Sequence, residues 1–186
     1  METPRIAPLA PPYSGEIAET LEKMMASRGE PLKLFRTLAH HPRLLKRFSV
    51  LGGGLLRGGL VEPAEREIVI HRTCARCRSE NEWGVHLAVL ARSLEFSEDL
   101  IAATVTAGAD DPVWGERQGL LIRLADELHE TATISGGLWE TLERHWEPPQ
   151  LIELIITAGF YHLVSYVTNA LGIELEDYGA RFPAGE

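Results

Sequence analysis

The sequence predicts an all-α fold, a compact bundle of about seven to nine helices. Three observations lead there. Apolar residues recur at three- and four-residue spacing along nearly the whole chain, the period of one helix face. No run alternates apolar and polar residues as a half-buried strand does, and no Asn-Gly or similar hairpin signal occurs. Helix starts and stops, marked by Ser, Pro and Gly, fall at the short intervals usual for helix–helix connections. No internal repeat of fixed period is present.

In chain order, residues 1–13 read as an extended proline-rich arm, and 14–186 as one helical domain. Ser14 is a candidate N-cap for a helix to about Met25, with Ile17, Leu21 and Met24 at helical spacing. Arg28-Gly29-Glu30-Pro31 ends it. A short helix from Leu32 to Ala39 precedes the turn His40-His41-Pro42, and Pro42 opens a helix carrying Leu44, Leu45, Phe48 and Leu51. Gly52-Gly53-Gly54 is expected to interrupt that helix, as a site of close packing or a loosened last turn. It has no G-K-[ST] and follows no strand, so it is no phosphate loop. Glu62-Pro63 starts the next helix, which ends near Cys77, and Ser79 starts another that runs to about Ser93.

Ser97-Glu98-Asp99 starts a helix with Leu100, Ile101 and Val105, and residues 108–112 form a turn. A helix from Trp114 to Thr131 carries Leu120, Leu121, Leu124, Ala125 and Leu128. Ser135 caps a short helix through His145, and Pro148-Pro149 starts the last long helix. The most apolar stretch, Leu151 to Ile173, carries Glu153, Tyr161, His162 and Asn169. Such residues are costly in a membrane, so it reads as a core helix, partly at a subunit interface.

Composition narrows the function classes. An apolar fraction of 45% across 186 residues can bury a core. The net charge of -9, from 27 acids against 18 bases, argues against a nucleic-acid surface. The two cysteines both lie in C-A-R-C, which is no disulfide framework. With no signal-peptide pattern at the start, a cytoplasmic location is expected.

Chemical density peaks between Glu67 and His86, in E-I-V-I-H-R-T-C-A-R-C-R-S-E-N-E-W-G-V-H. Ser79 and Glu82 fit a capping box, and Ser79, Glu82 and His86 share one helix face. Glu67, His71 and Cys74 share a face of the preceding helix, and a tight break could bring the two faces together. Each residue also has a plainer role. Glu82 could be only the partner of Ser79, His86 a core histidine beside Trp83, and Glu67 and His71 a surface pair worth about 0.2–0.5 kcal/mol. Glu67 is the hardest to dismiss. Ile68, Val69 and Ile70 follow it, and a carboxylate facing an apolar interior must be paired, hydrogen-bonded or neutral.

These residues resemble the carboxymuconolactone decarboxylase family, which includes the alkylhydroperoxidase D-like proteins. The matching text is E-R-E-I-V-I from Glu65 and R-C-R-S-E-N-E-W-G-V-H from Arg76, supported by F-R-T-L-A-H-H-P-R-L-L from Phe35 and G-F-Y-H-L-V-S-Y from Gly159. The resemblance implies an all-helical fold assembled as a homo-oligomer, commonly a dimer, trimer or hexamer. In the peroxidase branch a glutamate, a C-x-x-C pair and a histidine form a proton relay to a reactive thiol. Here the two thiol positions fall on Ser79 and Glu82, while Glu67 and His86 are retained. C-A-R-C lies earlier, near a helix C-terminus, where the dipole disfavours a thiolate, although Arg72, Arg76 and Arg78 act the other way.

The expected function is therefore a redox-independent acid–base enzyme on a small carboxylate or lactone. Glu67, Glu82 and His86 are the candidate catalytic residues, and Ser79, Cys77 and Trp83 the supporting or substrate-binding ones. The alternatives are a thiol peroxidase using Cys74 and Cys77, and a non-catalytic oligomeric accessory protein. No cofactor, metal, nucleic acid or membrane is expected, and the partners are a small-molecule substrate and further copies of the chain.

Overall fold

A computed structural model describes residues 3–24, 29–89, 94 and 96–183. Among them the chain forms nine helices and no strand: α1 (Gly15–Glu22), α2 (Lys33–Leu38), α3 (Pro42–Arg57), α4 (Pro63–Arg76), α5 (Glu80–Val89), α6 (Glu98–Thr106), α7 (Glu116–Thr131), α8 (Gly136–Leu142) and α9 (Pro148–Leu171). The expected helix ends near Met25 and Ser93 lie outside the described residues.

Helix α4 is the axis of the molecule. It packs against α5, α6, α7 and α9, and every residue from Arg66 to Cys74 is buried. A helix covered on all sides has no solvent face for its polar residues, so each must find a partner inside. Arg72 does so with a bidentate pair to Asp126 on α7, at 2.7 and 2.8 Å, and a bond to the Thr104 carbonyl. Arg76 pairs with Asp126 and Glu130. These arginines tie helices together and are engaged within the fold.

Two apolar clusters flank α4. One joins Val69 to Leu121, Leu124, Leu142, Trp146 and Leu154. The other joins Ile70, Cys74 and Trp83 to Leu34, Leu45, Phe160 and Tyr161. Helix α9 belongs to both. It is long and apolar enough to cross a membrane by length and composition, and half of its most apolar window is buried within the chain.

Several local expectations change. Gly52, Gly53 and Gly54 do not interrupt α3, which continues to Arg57. A Cβ at Gly52 would come within 2.9 Å of the Phe160 ring, so the glycine permits close packing against α9. Ser135 caps α8 as expected, accepting from Leu138 N–H, and Ser97 caps α6 in the same way, accepting from Leu100 N–H. Helix α7 starts two residues later than predicted, after Gly115, and α8 ends at Leu142, short of His145.

Both ends of the described chain are held by backbone bonds. Arg5 N–H donates to the Leu171 carbonyl, and Leu9 N–H to that of Arg36. The C-terminal segment folds over α5: Ala180 N–H donates to the Gly84 carbonyl, Phe182 N–H donates to Glu80, and the Phe182 ring meets Trp83 edge-on.

Candidate active site

The break between α4 and α5 does what the paired faces require. Cys77 N–H closes α4 onto the Thr73 carbonyl, Arg78 takes a left-handed φ of 55°, and Ser79 N–H returns to the Cys74 carbonyl. The chain reverses within three residues, and α5 lies back along α4.

That reversal sets His86 against Glu67. His86 Nδ1–H donates to Glu67 Oε2 at 2.9 Å. Its other ring nitrogen lies 3.9 Å from Glu82 Oε2, an ion-pair distance too long for a hydrogen bond. His71 Nδ1–H donates to the Glu67 carbonyl at 2.7 Å and lies 3.8 Å from Glu67 Oε2. The Tyr161 ring on α9 closes the cluster edge-on to His86, with centroids 4.9 Å apart. Glu67, Glu82 and His86 are 1%, 4% and 5% exposed, which excludes the surface-pair reading of Glu67 and His71.

Burial and charge push these groups apart. Burial alone would raise the Glu67 carboxyl, but His86, His71 and Arg66 outweigh it and hold Glu67 below its ordinary value. Burial would lower His86, and the carboxylates of Glu67 and Glu82 outweigh that and raise it. For Glu82 burial wins over His86, and the carboxyl is raised, with Glu176 adding to it. Burial brings His71 down to about 4, a neutral ring. Glu67 is therefore ionised over more of the pH scale than an ordinary carboxylate, His86 charged over more of it than an ordinary imidazole, and Glu82 protonated over more of it than an ordinary carboxylate. Two carboxyls beside one imidazole with pKa values driven apart are the usual signature of an acid–base pair.

The cluster has access to a ligand. A cavity of about 490 Å³ opens between α2, α3, α5 and α9, and Glu82, His86 and Tyr161 line it. Its walls are mainly apolar, from Leu34, Phe48, Leu56 and Phe160 among others, and Lys23 and Arg57 add positive charge. An apolar pocket with few convergent polar groups is the ordinary form of a small-molecule site. Glu82 Oε1 is buried and has no hydrogen-bond partner among the described residues.

The predicted site residues divide accordingly. Glu82 and His86 line the cavity, and Glu67 reaches it through His86. Ser79, Cys77 and Trp83 do not line it. Ser79 is fully buried and its hydroxyl pairs with Thr168 at 3.0 Å, so it orients no substrate oxygen. Its backbone N–H turns to Cys74, which takes the place of the expected capping box with Glu82. Trp83 packs between His71 and Phe182 and donates to Thr104 at 3.0 Å, holding α5 in place. Cys77 lies beside His129, at the far end of α4.

Sequence reasoning does not single out Tyr161 or Arg57. Tyr161 stands in the matched stretch after Gly159, but only α9 crossing α5 shows which of its residues faces His86. Nothing local in the sequence distinguishes Arg57 from other surface cations.

Both cysteines are free thiols. Burial, and next the Glu82 charge, push the Cys74 thiol well up, and burial also raises Cys77. Neither is predisposed to form a thiolate.

No protein-family model matches the sequence, and no curated protein matches it. Solved structures do match. An uncharacterized peroxidase-related protein from Silicibacter sp. TM1040 superposes with a TM-score of 0.79 at 18% identity, over 94% of this chain and 92% of that one. A peroxidase-related protein from Ralstonia eutropha JMP134, described as an alkylhydroperoxidase AhpD core, gives 0.73 at 16% identity, over 92% and 93%. The debrominase Bmp8, in a complex with 2,3,4-tribromopyrrole, gives 0.75 at 12% identity, over 93% and 92%. The chain therefore has the all-α, alkylhydroperoxidase D-like fold of these peroxidase-related proteins, the fold implied by its resemblance to the carboxymuconolactone decarboxylase family.

Proposed function

We propose that this chain is an acid–base enzyme that transforms a small carboxylate or lactone by decarboxylation, isomerisation or hydrolysis. One observation carries the reading: Glu82 and His86 stand together where an apolar cavity meets the buried cluster, with the Glu82 carboxyl raised by burial and the His86 ring raised by its carboxylate neighbours. In decarboxylation the bond to the departing carbon dioxide breaks, its electron pair takes the Glu82 proton at carbon, and His86 stabilises the Glu82 carboxylate until solvent reprotonates it. In lactone hydrolysis water adds to the carbonyl, the ring C–O bond breaks and the Glu82 proton goes to the leaving oxygen. Glu67 touches no substrate in this scheme. It is a positioning residue that fixes the ring through Nδ1 and keeps it charged. Arg57 and Lys23 supply charge for a substrate carboxylate.

The cavity speaks against a purely accessory role, because a protein that had lost its chemistry would have no need to keep polar groups open to a pocket. The raised thiols of Cys74 and Cys77, outside the cavity, speak against the peroxidase reading. Assembly as a cytoplasmic homo-oligomer belongs to the same proposal. The exposed apolar row Ile152, Ile156, Leu163 and Tyr166 along α9 supports a second copy there, and sedimentation gives the mass.

The test is turnover of a panel of small unsaturated lactones and oxo acids, followed by product chromatography. Turnover lost in Glu82→Gln and in His86→Ala, with both variants folded, supports the proposal. Full activity in both overturns it.

A further inference from the structure

Away from the cavity, at the opposite end of α4, Cys77, His129 and His162 converge from three helices. The Cys77 sulfur lies 3.9 Å from His129 Nδ1, and His129 Nδ1 lies 2.9 Å from His162 Nε2. All three donor atoms fall within 4.8 Å of one another, and the residues are partly exposed. We propose that these three side chains form a binding site for a borderline-soft divalent transition-metal ion, of the zinc class, with a fourth position open to water or a small ligand.

The donor set and the spacing both fit. Thiolate and imidazole are the preferred zinc ligands, and bonds of about 2.0–2.3 Å at tetrahedral angles put ligand atoms about 3.3–3.6 Å apart. The two observed separations bracket that range, so small side-chain rotations complete the geometry.

The surroundings already prepare the ligands. His162 Nδ1–H donates to the Ala158 carbonyl at 3.0 Å, which leaves the Nε2 lone pair pointing at His129. Such an outer hydrogen bond is the usual way a metal-binding histidine is held in its tautomer. Asn169 Nδ2 donates to the Cys77 carbonyl at 2.8 Å and fixes the backbone at the third ligand. Two helix C-termini meet here: Cys77 is the C-cap of α4, and His129 sits in the last turn of α7. Their carbonyl ends favour a cation. Nearby charges are already paired, with Arg76 held by Glu130 and Asp126. His129 lies 52 residues beyond Cys77 and His162 a further 33, so linear spacing hides the site and explains why no metal is expected from the sequence.

The experiment is titration of the full, chelator-stripped and reduced chain with cobalt(II), then displacement by zinc(II). One equivalent of cobalt with thiolate charge-transfer absorption and intense four-coordinate visible bands is expected. Cys77→Ser should abolish the charge-transfer absorption, and His129→Gln or His162→Gln should weaken binding by at least about a hundredfold, beyond what loss of an outer partner alone costs. Cys74→Ser should bind as the parent does. Far-UV dichroism establishes that each variant is folded, and the two histidine variants are independent, so one misfolded variant leaves the test intact. Absence of stoichiometric binding in the parent, or a charge-transfer band that survives Cys77→Ser, overturns the proposal. Substrate turnover is not the readout, so the result stands apart from the chemistry of the cavity.

Discussion

Replacing Glu67 by Gln should weaken the fold by a pH-dependent amount, because it removes a charge and keeps a hydrogen-bond acceptor. The amide oxygen can still accept from His86 Nδ1–H at about the 2.9 Å of the carboxylate. A hydrogen bond involving charged groups contributes about 1.5–3 kcal/mol and a neutral one about 0.5–1.5 kcal/mol, so the loss should be about 1–2 kcal/mol. Glu67→Leu leaves the buried His86 Nδ1–H without an acceptor and lets burial push the ring towards its neutral form, a cost of about 1–3 kcal/mol.

The window follows from the two titrations. Glu67 is held below its ordinary 4.5, so its contribution is present above that value and is lost as pH falls through the lowered one. His86 is held above its ordinary 6.5, so its contribution is full below 6.5 and is lost as pH rises through the raised value. The stability difference between parent and Glu67→Gln should therefore be largest between 4.5 and 6.5. It should shrink on both sides. Urea unfolding at a series of pH values measures it, and a difference constant from acid to alkaline pH would refute the ion-pair reasoning.

Three further outcomes follow from the same geometry. Glu82→Gln should abolish turnover and yet stabilise the chain above pH 4.5, since a carboxyl raised in the folded chain costs stability as pH rises from its ordinary 4.5 through the raised value; urea unfolding should show the gain growing over that range and then levelling off. Gly84→Ala places a Cβ onto the Ala180 carbonyl and must displace the C-terminal segment, losing the Ala180 and Phe182 bonds for about 2–4 kcal/mol, which a thermal melt and amide exchange at Ala180 would register. Cys74→Ala should leave lactone or carboxylate turnover unchanged at a stability cost of about 1 kcal/mol, because Cys74 packs in the core and does not line the cavity.

Much of this molecule is legible in its amino-acid sequence. Helix type and order follow from apolar spacing and from caps such as Ser97 and Ser135, which act locally. Glu67 stands out because three β-branched apolar residues follow it, and a helix needing burial on that side cannot leave its carboxylate in water. The Glu67–His86 contact is open to inference because only a three-residue reversal separates the two helices. Other features depend on partners distant in sequence. Ser79 looks like a cap until Thr168 takes its hydroxyl, 89 residues on. Tyr161 joins His86, and Cys77 joins His129 and His162, only because α9 and α7 pack across α4. Gly52-Gly53-Gly54 reads as a break locally, and tertiary packing of Phe160 against Gly52 overrides that preference.

A Glu82 carboxyl raised by burial beside a raised His86, with Glu67 held low, is the central claim. Carbon-13 NMR of the glutamate side-chain carboxyls, assigned with Glu67→Gln and Glu82→Gln, measures it directly across pH. Glu82 is expected to titrate above the ordinary 4.5 and Glu67 below it. Both carboxyls titrating together near 4.5 would contradict the claim.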